Sequence, residues 1–270
     1  MALKLDMSKA FDRVEWDFLF FMMARMGFNA QWISRLRTCV TSVTFSIIIN
    51  REIRGCIHPT RGLCQGDPLS RFLFLICIEG LSHLIHQSIR SSSLHGIRIS
   101  SRGPIISHLL FADDSLLFCR ADLVEGRRLL DILHLYERMS GQFLNVNKSS
   151  VTFSSNVREE LRVSIKNLLC MNDARTDSKY LGLPTLVTSN RRELLSFIKE
   201  RIWGKLQGWN EKLLSQAGRA ILIKAVIQAI STYAMSIFRF PKILCEEINR
   251  LSRNFFWSGK TDVRKMHWIG

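Results

Sequence analysis

Three carboxylates carry the clearest chemical potential in this chain. Asp113 and Asp114 stand side by side in 108-HLLFADDSLLFCR-120, between two strongly apolar runs, and Asp6 follows the apolar stretch 2-ALKL-5. Adjacent like charges repel, and carboxylates held among apolar residues are costly unless paired or bound to a cation. Taken alone, an Asp-Asp pair between two strands is a polar β-turn. With Asp6 in view it becomes a potential cation site: if the two strands are neighbours in one sheet, Asp6 and Asp113 project at the same end. That arrangement would suit two Mg²⁺ ions, which need few protein carboxylates because phosphates and water complete their shells. Two such ions roughly 4 Å apart activate an attacking 3′-hydroxyl and stabilise a leaving pyrophosphate.

The surrounding pattern defines the elements that must position these groups. Residues 2–7 alternate apolar and polar like a short strand. Helical patterns cover 16–28 and 30–40, and 44–50 with 52–58 read as a hairpin turning near Asn50 and Arg51. In 62-GLCQGDPLS-70, Asp67 before Pro68 is an N-cap followed by an N1 proline, opening a helix to about Arg90. A loop over 91–96 leads to two apolar strands flanking Ala112–Asp114, a second hairpin. Leu129, Ile132, Leu133, Tyr136 and Met139 share one face of a helix that Gly141 ends. A strand region follows at 143–154, a helix near 157–170 and a tight hairpin over 178–186. From 191 the pattern is helical: 191–213, 216–236 and 242–256. A composition shift near residue 188 separates an α+β body from a helical lobe.

The bulk charge points to a polyanion. The 270 residues hold 38 Lys and Arg against 23 Asp and Glu, a net +15. Of these, 15 basic and 6 acidic residues fall in 186–270, so the helical lobe is the expected contact surface. Nucleic acid is the first expectation and an anionic membrane surface the second. The seven cysteines form no C-x-x-C pair and no zinc spacing, which reads as reduced, intracellular thiols. No uninterrupted apolar run reaches the roughly 18–20 residues that span a bilayer, and a terminus charged within four residues is not a secretory signal.

Five motifs in order carry a family resemblance. The stretch 5-LDMSKAFDRVEWDFL-19 resembles the first catalytic motif of reverse transcriptases, 61-RGLCQGDPLSRFLF-74 their R-G-x-x-Q-G-x-P-L-S-P motif, and 108-HLLFADDSLLF-118 their x-A-D-D hairpin. The stretch 140-SGQFLNVNKSS-150 is similar to the G-x-x-x-N-x-x-K-S element, and 179-KYLGLP-184 to the Y-L-G primer grip. The match is nearest to non-LTR, LINE-type elements of plants. The resemblance implies an α+β palm, an antiparallel sheet with packed helices over 1–188, then a helical thumb over 189–259 and the start of a C-terminal connection region over 260–270.

The activity it implies is RNA-directed DNA polymerisation, a two-metal deoxynucleotidyl transfer to a primer 3′-hydroxyl. Asp6 and Asp113 would be the principal ligands of the two Mg²⁺ ions (Mn²⁺ a possible substitute), with Asp114 third and less directly bound. Phe11 would be the gate that blocks a ribose 2′-hydroxyl; otherwise it is a core phenylalanine. Gln65 and Gly66 would meet the incoming nucleotide and template, and Lys148 would stand near the leaving pyrophosphate as charge partner or general acid. Tyr180, Leu181 and Gly182 would seat the primer. Lys199, Arg201, Lys205, Lys212, Arg219 and Lys224 would track duplex phosphates, while Trp203 and Trp209 pack between helices. Partners would be RNA template, DNA primer and dNTPs, with no membrane and, for a working retroelement, a nuclear location.

Departures from the pattern set the expectations apart from the family's. The fingers, with their triphosphate-gripping basic residues, and the endonuclease lie upstream of the first catalytic motif in the family. They are expected to be missing parts of a parent polyprotein, so polymerisation by this stretch alone would be inefficient. Cys64 replaces a frequent arginine and Arg71 a proline. Three other readings compete: a catalytically inactive nucleic-acid-binding remnant, an RNA-dependent RNA polymerase, against which Phe11 argues, and a group II intron maturase.

Overall fold

The computed structural model describes residues 1–174, 179–184, 191–210 and 214–258. It divides into two compact units, 1–175 and 176–270. The division falls ahead of the compositional shift near 188, because the short hairpin expected to belong to the first unit is built into the second. Expectations for 260–270 and for Lys212 lie outside the described residues.

The first unit opens with β1 (Ala2–Ser8), whose alternate residues Leu3, Leu5 and Met7 are buried while Lys4, Asp6 and Ser8 lie on the other face. Next come α1 (Trp16–Arg25), α2 (Ala30–Thr41) and the hairpin β2 (Phe45–Ile49) and β3 (Glu52–Ile57). The β2–β3 turn falls at Asn50 and Arg51, both at positive φ, as a type I′ hairpin requires. α3 (Pro68–Arg90) starts as the sequence dictates, with the Asp67 carboxylate accepting from the Leu69 amide at 3.0 Å. A small ribbon, β4 (Ile97–Arg98) and β5 (Ile105–Ile106), precedes the hairpin β6 (His108–Phe111) and β7 (Asp114–Phe118). Then follow α4 (Leu123–Ser140), β8 (Phe143–Leu144), β9 (Ser150–Thr152), α5 (Glu159–Leu169) and β10 (Asn172–Asp173).

The main sheet runs β10-β9-β1-β7-β6, with β8 joined to the far end of β1. All pairs are antiparallel except β9 with β10. Its inward side chains, including Leu3, Leu5, Leu117 and Val151, form one core with Leu73, Phe74, Leu81, Leu129 and Leu133 of α3 and α4. Met139, expected on that face, is 39% exposed because the helix ends one residue later and turns away at Gly141. α3 is, by length and composition, apolar enough to cross a bilayer, against the expectation from uninterrupted runs. Half of that stretch is buried in the unit's core.

The second unit begins with β11 (Lys179–Tyr180) and β12 (Leu183–Pro184), paired through a turn whose two residues, Leu181 and Gly182, are both at positive φ. Helices α6 (Arg191–Asn210), α7 (Gln216–Leu222), α8 (Gln228–Met235) and α9 (Lys242–Ser258) follow, with one π-helical turn, Ile223–Ile227, between α7 and α8. Ile202, Leu206, Ile227, Ile248 and Phe255 form its core, and Leu183 joins it.

Candidate active site

The site is built outward from one register. β1 and β7 pair so that Asp6 lies directly opposite Asp114, and directly opposed antiparallel residues project to the same face about 5 Å apart. Asp113 is the second residue of the two-residue turn between β6 and β7. The first, Ala112, is at φ +51, a conformation more usual for glycine. The structure therefore places Asp113 beside the pair, at the exposed tip, and Asp114 in the cross-strand position. Like charges directly opposed destabilise a sheet by up to about 1 kcal/mol. Burial of Leu3, Leu5 and Leu117 at roughly 1.5–3 kcal/mol apiece outweighs that.

Electrostatics record the crowding. Burial pushes the Asp114 carboxyl above its ordinary value; the Lys4 ammonium, 4.0 Å away, pulls it back, and the charges of Asp113 and Asp6 push it up again. Lys4 was not anticipated, although its signal is plain: two residues before Asp6 on a strand is the same face. Ser115, next to the pair, is fully buried, and its hydroxyl finds no hydrogen-bond partner among the described residues.

Oxygen donors of this kind suit Mg²⁺, which takes one or two carboxylates and completes its shell with water and phosphate. Among the described residues no three His, Cys, Asp or Glu side chains already converge on a metal position. The donor chemistry fits, with part of the shell left to substrate.

Two loops are fastened to the β1 end. The expected strand over 143–154 is broken into β8 and β9 by the loop 145–149, whose ends are both tied to Asp6. Its carbonyl accepts from the Asn145 amide at 2.8 Å and its amide donates to Ser149 Oγ at 3.1 Å. Lys148, solvent-exposed, rides on that loop. The segment before it is anchored through buried Gln142, whose Nε2 donates to the Ala10 carbonyl at 2.8 Å and whose Oε1 accepts from the Tyr136 hydroxyl.

The Gln65 loop docks on the turn after β1. Gly62 donates to the Val14 carbonyl at 2.8 Å and Leu63 to Phe11 at 2.9 Å, while Trp16 Nε1 donates to the Gly62 carbonyl at 2.7 Å. Gly62 sits at φ +90, where a Cβ would stand 2.5 Å from the Asp12 carbonyl oxygen, so only glycine permits the contact. Gln65 is exposed and donates to Asp12 Oδ1 at 3.3 Å. Gly66, at φ +97, has open space where a side chain would be. Phe11 is half-buried, stacks on Phe74 at 4.6 Å and packs against the first unit's core, which is its expected role as a core phenylalanine. A cleft of about 440 Å³ lies along this loop, lined by Asp12, Arg61, Cys64, Gln65 and Asp67.

Tyr180, Leu181 and Gly182 lie in the second unit, where the Tyr233 hydroxyl donates to the Leu181 carbonyl at 2.7 Å and fixes the turn. Of the expected phosphate-tracking residues, two have other duties. Lys199 pairs with Glu247 at 2.8 Å, and Arg219 donates to the Leu214 and Phe256 carbonyls. Arg201, Lys205 and Lys224 are exposed. Trp203 and Trp209 pack on the core, as expected.

An antiparallel sheet with helices on one face and acidic residues at the end of adjoining strands on the other is the architecture of a polymerase palm. Residues 1–185 match the family model described as reverse transcriptase (RNA-dependent DNA polymerase), and the chain belongs to that family. An uncharacterized 149 kDa protein of transposon TX1 from Xenopus laevis is 27% identical over 275 residues, 99% of this chain and 20% of that protein. A retrovirus-related Pol polyprotein from the type-1 retrotransposable element R2 of Popillia japonica is 30% identical over 191 residues, 67% of this chain and 26% of that protein. Telomerase from Candida albicans, solved with a fragment of telomeric RNA, is 16% identical with a TM-score of 0.44, over 96% of this chain and 45% of that one. The chain thus spans about a fifth to a quarter of the two retroelement relatives.

Proposed function

We propose that the chain is the palm and thumb of an RNA-directed DNA polymerase from a plant LINE-type non-LTR retroelement, extending a DNA primer along an RNA template with dNTPs. The observation that carries this is the register setting Asp6 against Asp114 with Asp113 on the adjoining turn. Asp6, Asp113 and Asp114 would hold divalent cations, Mg²⁺ or Mn²⁺ in its place; bound there, the metal would activate the primer 3′-hydroxyl and compensate the charge of departing pyrophosphate. A phosphodiester bond forms to the α-phosphorus as its bond to pyrophosphate breaks.

The chain's own side chains orient the reactants. Gly66 leaves room for close approach of a base or sugar. Gln65 offers an amide whose partner, Asp12, holds it at the cleft. Phe11, fixed by its stack on Phe74, presents neither space nor a hydrogen-bond partner to a 2′-hydroxyl. The loop that carries Lys148 is tied to Asp6 through Asn145 and Ser149, and the exposed Lys148 would receive the negative charge of pyrophosphate. In the second unit, Tyr180, Leu181 and Gly182 would seat the primer end, and Arg201, Lys205 and Lys224 would meet phosphates. Action in the nucleus would follow from this role.

Nucleotide selection tests the reading. Phe11→Val should admit ribonucleotides, lowering the dNTP-over-NTP preference at least tenfold in single-nucleotide addition. An unchanged preference would remove Phe11 from the gate.

A further inference from the structure

We infer that the corner between α1 and α2 is a second nucleic-acid surface, one that takes single-stranded RNA by stacking bases on exposed rings between arginines. The corner presents Phe21 at 58% exposure, Phe28 at 37% and Trp32 at 47%, with Met26 beside them. Arg25 and Arg35 are exposed on the same segment. The spacing sets ring beside cation: Phe21 and Arg25 are four apart on α1, and Trp32 and Arg35 three apart on α2, so each pair shares a helix face.

The turn is rigid. Asn29 caps α2 by accepting from the Gln31 amide at 2.8 Å, and the Phe28 amide donates to Met23 at 3.1 Å. Arg37 is committed elsewhere, over the Phe20 ring at 4.2 Å and near Asp17 at 3.9 Å.

Charge chooses the occupant. The corner segment 18–36 contains Arg25 and Arg35 and no Asp or Glu, and the adjoining Asp17 is paired with Arg37. An apolar patch meant for a protein needs no such exclusion of carboxylates, whereas a polyanion does. Exposed rings with cations on the same helix faces are what an unpaired strand uses, since every base has a face to stack and every linkage a phosphate to pair. The corner is also apart from the acidic site. Trp16, at the start of α1, bonds to the Gly62 loop, and the corner lies at the other end of a ten-residue helix, about 15 Å away. Copying chemistry at the aspartates does not require it, so it would hold template that has not yet reached the site, or has left it.

The test is binding of a fluorescently labelled 15-nucleotide poly(U) RNA to the full chain, without metal or nucleotides, so the outcome does not depend on polymerase activity. Trp32→Ala is expected to weaken binding at least fivefold, and Trp32→Phe to retain most of it, because the ring and not the indole NH carries the stack. The double variant R25Q/R35Q should flatten the slope of log affinity against log salt by roughly 1.4. Circular dichroism melts should match the parent, since all three side chains are exposed. Unchanged affinity and salt slope in these variants would overturn the inference. So would Trp32→Ala converting a self-associated chain to monomer in light scattering without loss of RNA binding, which would make the corner a protein interface.

Discussion

Asp114 shows how much of the site is decided by single side chains. Its carboxyl is held above the ordinary value near 3.8, so the native state binds that proton more tightly than the unfolded chain does. Stability therefore falls as pH rises from 3.8 through the raised value, and above it the whole destabilisation is present. Asp114→Asn should raise the melting temperature at pH 7 by about 1–3 °C, a size limited by solvent screening, and the difference should vanish below pH 3.8. A lower melting temperature at pH 7 would show that Lys4 overcompensates. Ser115→Ala should also stabilise, by about 1 kcal/mol, since it removes a buried hydroxyl without a partner; denaturant titration reads this directly. Asp6, Asp113, Asp114 and the 61–67 loop were legible in the sequence because motif order and apolar flanks single them out. Lys4 was legible in principle through strand periodicity. The Asn145 and Ser149 tethers were not, since they depend on contacts across more than a hundred residues.

At the scale of elements, the site depends on loops fastened to β1. Gly141 stands at φ +74, where a Cβ would lie 2.5 Å from the Arg13 carbonyl oxygen. Gly141→Ala should cost at least about 1–3 kcal/mol and loosen the Lys148 loop, seen as a lower unfolding midpoint and faster amide exchange at Asn145. The α3–β6 contact carries a pH response. His108 lies against Ser82, Ser107 and the His86 ring, and burial followed by the charge of His86 holds its pKa below 6.5. The unfolded chain takes up that proton first, so stability is full above pH 6.5 and is lost as pH falls below it. Melts at pH 7.5 and 5.5 should show the loss, and His108→Gln should reduce it; a slope unaffected by the substitution would place the cause elsewhere. Sequence reading located these helices to within a few residues because Asp67-Pro68 and Gly141 mark their ends. The break between β8 and β9 is not legible in the sequence, because polar 145–149 alternates no differently from its neighbours. The loop leaves the sheet as a turn in which the Lys148 and Ser149 amides donate back to the Asn145 carbonyl.

For the whole molecule, the two units have separate cores, which composition registered as a change in helical content and charge. The compact units divide at 175, ahead of the compositional shift near 188, because Leu183 and Leu181 owe their positions to Ile202, Tyr233 and their neighbours, which lie far along the chain. We propose nucleotidyl transfer at the carboxylate cluster of the β1–β7 end. Primer extension on an annealed RNA template and DNA primer, with Mg²⁺ and dNTPs, tests it most directly, with Asp113→Asn as the paired chain. The prediction is slow addition by the parent chain that falls to background in Asp113→Asn while duplex binding is unchanged. Addition persisting in Asp113→Asn, or duplex bound by the parent chain with no addition at all, would contradict it; the second result would leave a nucleic-acid-binding protein without turnover.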